Sequence, residues 1–219
     1  NYFGYAVALS GDGNTVFAGA HFADVGGNVS QGAAYVFTRS GAAWSQQEKL
    51  TAADGAIIDL FGVSVALSSY GNTAIAGADR ADVGGNVNQG AAYVFTRSGT
   101  AWSQQEKLVA ADGAAIDLFG VSVALSSDGN TAIAGAAWAD VGGNADQGSA
   151  YVFTRSGVAW SQQAKLTSAD GAAADFFGIS ATLSGDGNTA IAGAYLADVS
   201  GNINQGAAYV FIRSGVSWS

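Results

Sequence analysis

The sequence predicts an all-β fold, a β-propeller built from four-stranded antiparallel blades, and three observations support this prediction. First, a Phe-Gly pair returns every 58 residues along the 219-residue chain, beginning at Phe3, Phe61, Phe119 and Phe177. Second, each interval holds four short apolar segments separated by turn residues, without a helical stripe of useful length. Third, the early segments are small and apolar and the fourth is polar, as expected of strands that run from a crowded centre to a solvated rim.

The repeats define the predicted domain organisation. A single propeller domain or segment occupies residues 1–219, with repeats at 3–60, 61–118, 119–176 and 177–219. The second and third repeats differ at only 12 of 58 positions, so all repeats must form one kind of structural unit. A β-solenoid is the alternative, but its coils are usually shorter and lack a graded meander of four strands.

The elements follow from the local pattern, as the second repeat shows. Period-two alternation predicts the first strand, and a Gly-Asn turn predicts a hairpin to a second strand of small residues. A Gly- and Asn-rich loop then leads to a third strand rich in β-formers, and a polar fourth strand follows a Ser-Gly turn. The predicted strands are residues 61–68, 73–78, 91–96 and 102–108, with long loops at 79–89 and 110–117.

Composition excludes several classes of function. The chain has no Cys and one His, which excludes disulfides, cysteine nucleophiles and any motif that needs a His in every repeat. Its 8 Lys+Arg against 17 Asp+Glu give a net charge of −9, which argues against nucleic acid or an anionic membrane as partner. No apolar run approaches the roughly 18 residues of a membrane span. The acidic, Gly-rich and charge-poor composition favours a secreted or cell-surface location.

The repeats resemble a known family. Residues 119–124 read Phe-Gly-Val-Ser-Val-Ala and residues 133–136 read Ile-Ala-Gly-Ala, which is similar to the FG-GAP repeat of integrin α-chain propellers. Residues 148–157 and 160–166 are similar to the bacterial branch of that family. The resemblance recurs four times over essentially the whole chain. It implies a β-propeller whose function within the family includes extracellular ligand binding, adhesion and surface scaffolding.

Two departures from the family pattern concern its ligands. The family's Gly-Ala-Pro is Gly-Ala followed by another residue here, namely His21, Asp79, Ala137 or Tyr195. The integrin-type calcium loop between the first two strands has shrunk to turns such as residues 126–130, with a single Asp. Calcium takes six to eight oxygen ligands, so we expect a plain hairpin there and no metal or other cofactor. The loop at 82–88 offers alternating oxygens and is a candidate for weak calcium binding, but Asp and Asn in such loops more often cap the backbone, so capping is the favoured interpretation.

The remaining polar groups favour structural roles. The pair Asp112 and Asp117 has near-identical copies in other repeats, whereas a catalytic site is normally single and asymmetric, so we expect turn capping and no enzyme. His21 has no His partner. One Trp recurs at a fixed place in each repeat, which favours packing over sugar stacking; the four are Trp44, Trp102, Trp160 and Trp218.

The comparison of repeats gives the strongest functional clue. Directly after the second strand, two residues vary completely while the following Ala-Asp-Val-Gly is nearly fixed; these candidate ligand-binding residues are His21, Phe22, Asp79, Arg80, Ala137, Trp138, Tyr195 and Leu196. A second variable pair follows at positions such as 29–30 and 87–88. Both pairs lie in the loop that shares a propeller face with the connection between blades. The resemblance implies that this is the ligand face, and aromatic and Arg residues often anchor interfaces.

The sequence therefore predicts a non-enzymatic extracellular binding or adhesion module that recognises protein or glycan through loops on one face. A structural repeat or assembly subunit without a small ligand is the second hypothesis, and a lectin-like sugar binder or a hydrolase is the third. The last blade is expected to be incomplete, with an exposed edge. That edge is explained by a larger ring, by several copies joining into one ring, or by a small ring of four blades; we favour the first.

Overall fold

A computed structural model describes all 219 residues and contains sixteen strands and no helix. The strands form four sheets, each with four antiparallel strands in consecutive order, which confirms the predicted all-β class and the four-stranded blades. Since there is no helix, no element has the length and apolarity of a membrane-spanning helix.

The strand bounds repeat closely from blade to blade. Blade one contains β1 (Val7–Leu9), β2 (Thr15–Ala20), β3 (Ala33–Ser40) and β4 (Ala43–Leu50). Blade two contains β5 (Val65–Leu67), β6 (Thr73–Ala78), β7 (Ala91–Ser98) and β8 (Ala101–Leu108). Blade three contains β9 (Ser122–Leu125), β10 (Thr131–Ala136), β11 (Ser149–Ser156) and β12 (Ala159–Leu166). Blade four contains β13 (Phe177–Leu183), β14 (Thr189–Ala194), β15 (Ala207–Ser214) and the two-residue β16 (Ser217–Trp218), so its last strand is incomplete, as predicted.

The first strand of the second blade is shorter than predicted, because the Phe-Gly pair does not belong to it. β5 begins at Val65, whereas the alternation placed its start at Phe61. The Phe61 amide donates to the Gln31 carbonyl of the preceding blade at 2.9 Å, and Gly62 then turns the chain with a φ of 89°. The Phe-Gly pair is therefore a contact between blades.

Each pair of neighbouring blades encloses its own apolar core. Between blades one and two, Phe17 and Val36 pack against Phe61, Tyr93 and Phe95, all of them buried. Equivalent residues form the cores between blades two and three and between blades three and four. Burying each of these large side chains contributes about 1.5–3 kcal/mol, so the stability of a blade resides mainly in its contacts with neighbours.

Glycines allow the blades to approach closely at the centre. A Cβ atom on Gly77 would overlap the backbone carbonyl oxygen of Gly120 in the next blade, and Gly19 and Gly135 face the next blade in the same way. The neighbouring atoms are backbone, so they cannot move aside as a flexible side chain would. The small residues predicted for the second strand are thus required by the packing of one blade on the next.

The outer strands are joined by a repeated bulge. In blade one, β3 and β4 pair at Val36 with Glu48 and at Phe37 with Gln46, which leaves Gln47 as the extra residue. The Gln47 Oε1 atom accepts a hydrogen bond from the Trp102 indole nitrogen at 3.0 Å. The same bond joins Trp160 to Gln105 and Trp218 to Gln163, at 3.0 Å in each case. Packing between blades therefore accounts for these tryptophans, and the bulge aims the glutamine outward.

The substitution Gly77→Ala tests the close approach. We expect the free energy of unfolding, measured by urea denaturation, to fall by about 3 kcal/mol or more, because a buried methyl group must displace backbone. Gly41→Ala is the matched control: Gly41 has a φ of 61° but no atom within 4 Å of an added Cβ. Gly41→Ala should lower the free energy of unfolding by only about 1 kcal/mol, through backbone strain. Equal losses for the two variants would contradict the interface role of Gly77.

Candidate functional site

The loops between second and third strands lie beside the connections between blades, on one face of the protein. We call this the loop face and define it by residues 21–32, 79–90, 137–148 and 195–206 together with residues 51–60, 109–118 and 167–176. The Ile58 amide donates to the Val29 carbonyl at 3.0 Å, and the Asn28 side chain donates to the Gly55 carbonyl at 3.1 Å. These contacts show that the two kinds of loop share a face, as the sequence predicted.

Fixed aspartates hold the backbone of the loop face. The Asp82 carboxylate accepts a hydrogen bond from the Asn88 amide at 2.8 Å, and the equivalent bond occurs in all four blades. Asp117 accepts from the Ala114 amide at 2.8 Å, and Asp112 pairs with Lys165 at 2.7 Å. No group of three or more His, Asp or Glu side chains is arranged to hold a metal ion. The hydrogen bonds to Asp82 and Asp117 cap turns and give the loops a fixed shape, and the Asp112–Lys165 pair ties the blade connection to the fourth strand of blade three.

The short turn on the opposite face is capped in the same manner. In blade one, the Asp12 carboxylate accepts from the Ser10 hydroxyl at 2.6 Å and from the Asn14 amide at 2.9 Å. These hydrogen bonds, with the Ser10 bond foremost, lower the pKa of Asp12 to about 2. The turn thus has the plain hairpin structure expected from its single Asp.

The predicted ligand-binding residues divide into a buried and an accessible group. The first residue of the variable pair is buried in three blades, as His21, Asp79 and Ala137, whereas Tyr195 in blade four is exposed. The second residue is exposed or half-buried in every blade; these residues are Phe22, Arg80, Trp138 and Leu196. The second residue also lies next to the blade connection, since the Trp138 amide donates to the Asp117 carbonyl at 3.4 Å. A ligand on the loop face can therefore contact the second residue of each pair, and Tyr195.

The structure adds residues that the comparison of repeats overlooked. Phe176 lies between two predicted residues, with its ring centre 5.3 Å from that of Trp138 and 5.6 Å from that of Tyr195. Tyr2 occupies the same position in blade one and contacts His21 and Phe22 at 5.9 and 5.1 Å. Both residues directly precede a Phe-Gly pair, and the other blades have Leu there. This variation was a visible signal, but only the fold places it beside the variable pairs.

The loop face contains a cavity of about 420 Å³ in blade three. Its apolar wall consists of Trp138 and of Ala114, Ala115 and Ile116 from the connection between blades two and three. Four carboxylates and one ammonium group form the rest of the lining. Its lining residues are Asp112, Ala114, Ala115, Ile116, Asp117, Trp138, Asp140, Asp146 and Lys165. We call this cavity the Trp138 pocket. It combines an aromatic surface with an excess of negative charge.

The charges of the Trp138 pocket respond differently to their surroundings. Burial raises the pKa of the Asp117 carboxyl. Burial also acts to raise the pKa of Asp112, but hydrogen bonds, chiefly from the Lys165 ammonium, outweigh it and lower that pKa. Lys165 is therefore already paired with Asp112, so the other three carboxylates give the pocket its excess of negative charge.

The Trp138 pocket occurs only in blade three, although the capped loop backbone around it recurs in the other blades. In blade two, the positions of Ala115, Trp138 and Asp146 hold Ile57, Arg80 and Asn88. The other three cavities of the molecule lie at the outer faces of blades one and four. The variable positions thus give one repeat a cavity that its near-identical neighbour lacks.

Asp79 is a buried carboxyl without a partner for its Oδ1 atom. Burial raises its pKa to about 6, although the positive charge of Arg80 acts to lower it. At neutral pH this residue therefore ionises at a cost to stability. Blade three, which has Ala137 at this position, avoids that cost.

The fold and the repeated loops define a β-propeller repeat protein, and a family comparison agrees. Residues 44–95, 102–153 and 160–211 match the model of the FG-GAP repeat, each match running from the fourth strand of one blade to the third strand of the next. The chain belongs to the FG-GAP repeat family, which confirms the resemblance seen in the sequence. No curated protein matches the chain.

The chain also matches solved structures. The crystal structure of TolB from Acinetobacter baumannii aligns with a TM-score of 0.47 and 16% sequence identity. The alignment covers 94% of this chain but 43% of the TolB chain, so the protein spans less than half the length of that chain.

The substitution Asp79→Ala tests the cost of the buried carboxyl. Because the folded pKa of about 6 lies above the ordinary value of 3.8, the wild-type protein should lose stability as pH rises from about 4 through 6. At pH 8 we expect the variant to gain on the order of 2–3 kcal/mol in urea unfolding. The gain should disappear near pH 4. If the variant is more stable than the wild type by the same amount at every pH, ionisation of Asp79 is not the cause of the difference.

Proposed function

We propose that the protein is a non-enzymatic binding or adhesion module, secreted or at a cell surface, that recognises a protein or glycan through its loop face. The Trp138 pocket is the observation that carries this proposal. It is a concave site with a large aromatic side chain and convergent polar groups, on the face where the repeats diverge. Phe22, Arg80 and Tyr195 extend the accessible surface beyond the pocket.

The chemistry of the pocket favours a basic group on the partner. Four aspartates and one lysine line it, so its net charge is negative, in a chain whose own net charge is −9. A Lys or Arg side chain would meet carboxylates while its cationic head lies against the face of Trp138. A protein with exposed basic residues is therefore the favoured partner. A glycan stacked on Trp138, with hydroxyls donated to the aspartates, is the other ligand class.

The acidic groups of this site support binding rather than catalysis. Asp112 and Asp117 are engaged with Lys165 and with the loop backbone, and their counterparts in blade two make the same contacts. No nucleic acid, membrane insertion or cofactor belongs to the proposal. Calcium is included as a variable in the experiment below, because the loops expose carboxylate and carbonyl oxygens.

A structural role in an extracellular assembly is the second candidate. It is favoured by the near-identity of the repeats, whose interblade hydrogen bonds recur with almost unchanged distances. A structural protein would need no pocket on the loop face. Binding to the Trp138 pocket therefore separates the two candidates.

Calorimetry with defined probes tests the binding role. The probes are Lys- and Arg-containing peptides, the same peptides with Gln replacing the basic residues, and a glycan array, each with and without calcium. We expect the basic peptides to bind and the Gln peptides to fail, with affinity falling as salt is raised. Trp138→Arg, which installs the residue of blade two, should weaken binding about tenfold or more.

The matched control is Val158→Arg, which adds the same charge at an exposed turn on the opposite face. It should bind like the wild type. If a glycan binds to the wild type and not to Trp138→Arg, the pocket is the binding site, but its ligand is a glycan and not a basic protein. If no probe binds, or if Trp138→Arg and Val158→Arg behave alike, the pocket is not the ligand site and the structural role gains.

A further inference from the structure

We propose that the loop face binds a protein segment in which a basic residue stands close to a large apolar residue. The basic residue enters the Trp138 pocket, and the apolar residue covers Ile116, which lines that pocket, and its neighbour Val87. We call Val87 and Ile116 the aliphatic pair. The choice of a protein rests on the proposed function, which it narrows to one class of partner.

The backbone at Ile116 is strained. Its φ is 72°, in the left-handed region, where a β-branched side chain is crowded and where Gly or Asn is the usual residue. Ile58, at the equivalent position of the preceding connection, has a φ of 67°. Isoleucine thus lowers the stability of the folded chain at two places where Asn would be tolerated.

Burial does not offset this strain. Leu60 also has a positive φ, of 59°, but its side chain is buried, so the burial of apolar surface compensates for the backbone. Ile116 is 59% exposed and Ile58 is 49% exposed. Because both isoleucines remain largely accessible to water, the stability of the fold does not explain them. A strained residue without a structural reason is evidence for a functional contact.

The loop frame does not require the aliphatic pair. The Ile116 amide donates to the Val87 carbonyl at 2.9 Å, and Val87 is 56% exposed. In the next connection the equivalent bond joins Ala174 to Ala145 at 2.8 Å, so the same backbone forms with two small side chains. The pair lies between blades two and three, with a neighbouring blade on each side. Its large side chains therefore serve the surface of the loop face and not its frame.

The aliphatic pair and the acidic pocket form one surface. Ile116 lines the Trp138 pocket, and the residue after it, Asp117, supplies one of the four carboxylates. A basic side chain in the pocket therefore places the residues beside it over Ile116 and Val87. An apolar neighbour gains by leaving water there, whereas a glycan would bring hydroxyl groups against aliphatic side chains without hydrogen bonds. The surface is thus complementary to a protein segment in both charge and hydrophobicity.

Calorimetry with two matched series of peptides tests this surface. Each peptide carries one Arg, with Leu one to three residues away in the first series and Ser at the same place in the second. We expect both series to bind the wild type, and the best Leu peptide to bind about tenfold more tightly than its Ser counterpart. Ile116→Ala, which installs the residue of the next connection, should remove most of this difference and leave the affinity for the Ser peptides unchanged.

Thermal unfolding distinguishes a contact residue from a packing residue. Ile116→Asn relieves the left-handed backbone and removes little buried surface, so the temperature of unfolding should stay the same or rise by up to about 4 °C. Leu60→Asn is the matched control, because Leu60 has a similar φ but is buried. It should lower the temperature of unfolding by about 4 °C or more. A clear fall for Ile116→Asn would show that Ile116 is a packing residue and would overturn the proposal.

The binding results separate the aliphatic contact from the proposed function. If the Leu and Ser series bind equally well and Ile116→Ala changes neither, the Trp138 pocket is still a binding site, but the aliphatic pair takes no part. If neither series binds the wild type, the proposed recognition of basic residues fails, and the aliphatic contact fails with it. Leu peptides that bind Ile116→Ala as tightly as the wild type would also contradict the role of Ile116.

Discussion

The contact between a Phe-Gly pair and the glycines of the preceding blade is the interaction on which the rest of the structure depends. Phe61 is buried in the core shared with blade one, and the Gly62 carbonyl lies where Gly19 has no side chain. This contact fixes the distance between blades, and the apolar cores and the outer Trp–Gln bonds follow from that distance. A blade therefore resembles a repeat of a linear array, whose stability comes largely from its neighbours.

The same constraint explains where the chain can vary. The strands and capping aspartates meet equivalent neighbours in every blade, so a substitution there would disturb the contact with an adjacent blade or the shape of a loop. The second residue of each variable pair is at least partly accessible on the loop face, and so is Phe176, which directly precedes a Phe-Gly pair. Sequence divergence at Trp138 and Phe176 thus changes the surface without changing the frame. The variable surface and the conserved architecture occupy different parts of each repeat, as in folds that carry function on loops.

Local sequence patterns predicted the features that depend on residues close together in the chain. The second strand of blade two was predicted at residues 73–78 and is observed there, because a turn and small apolar residues define it. The Gly-Asn turns and the shared face of the two loop types were also predictable. The sequence did not predict that Phe61 is a contact between blades, nor that Gln47 accepts a hydrogen bond from Trp102. Both depend on a neighbour about 30 to 60 residues away, and no local pattern records which atoms it presents. The burial of Asp79 beside an exposed Arg80 escaped prediction for the same reason.

Amide hydrogen exchange at the Phe-Gly positions tests the central claim most directly. The Phe119 amide donates to the Gln89 carbonyl across the interface between blades two and three. If that interface holds the fold together, this amide should exchange only through unfolding that separates the blades, as slowly as amides in the middle of β6 and β10. Rapid exchange of the Phe119 amide, at the rate of amides in the exposed part of the loop at 110–117, would contradict the account.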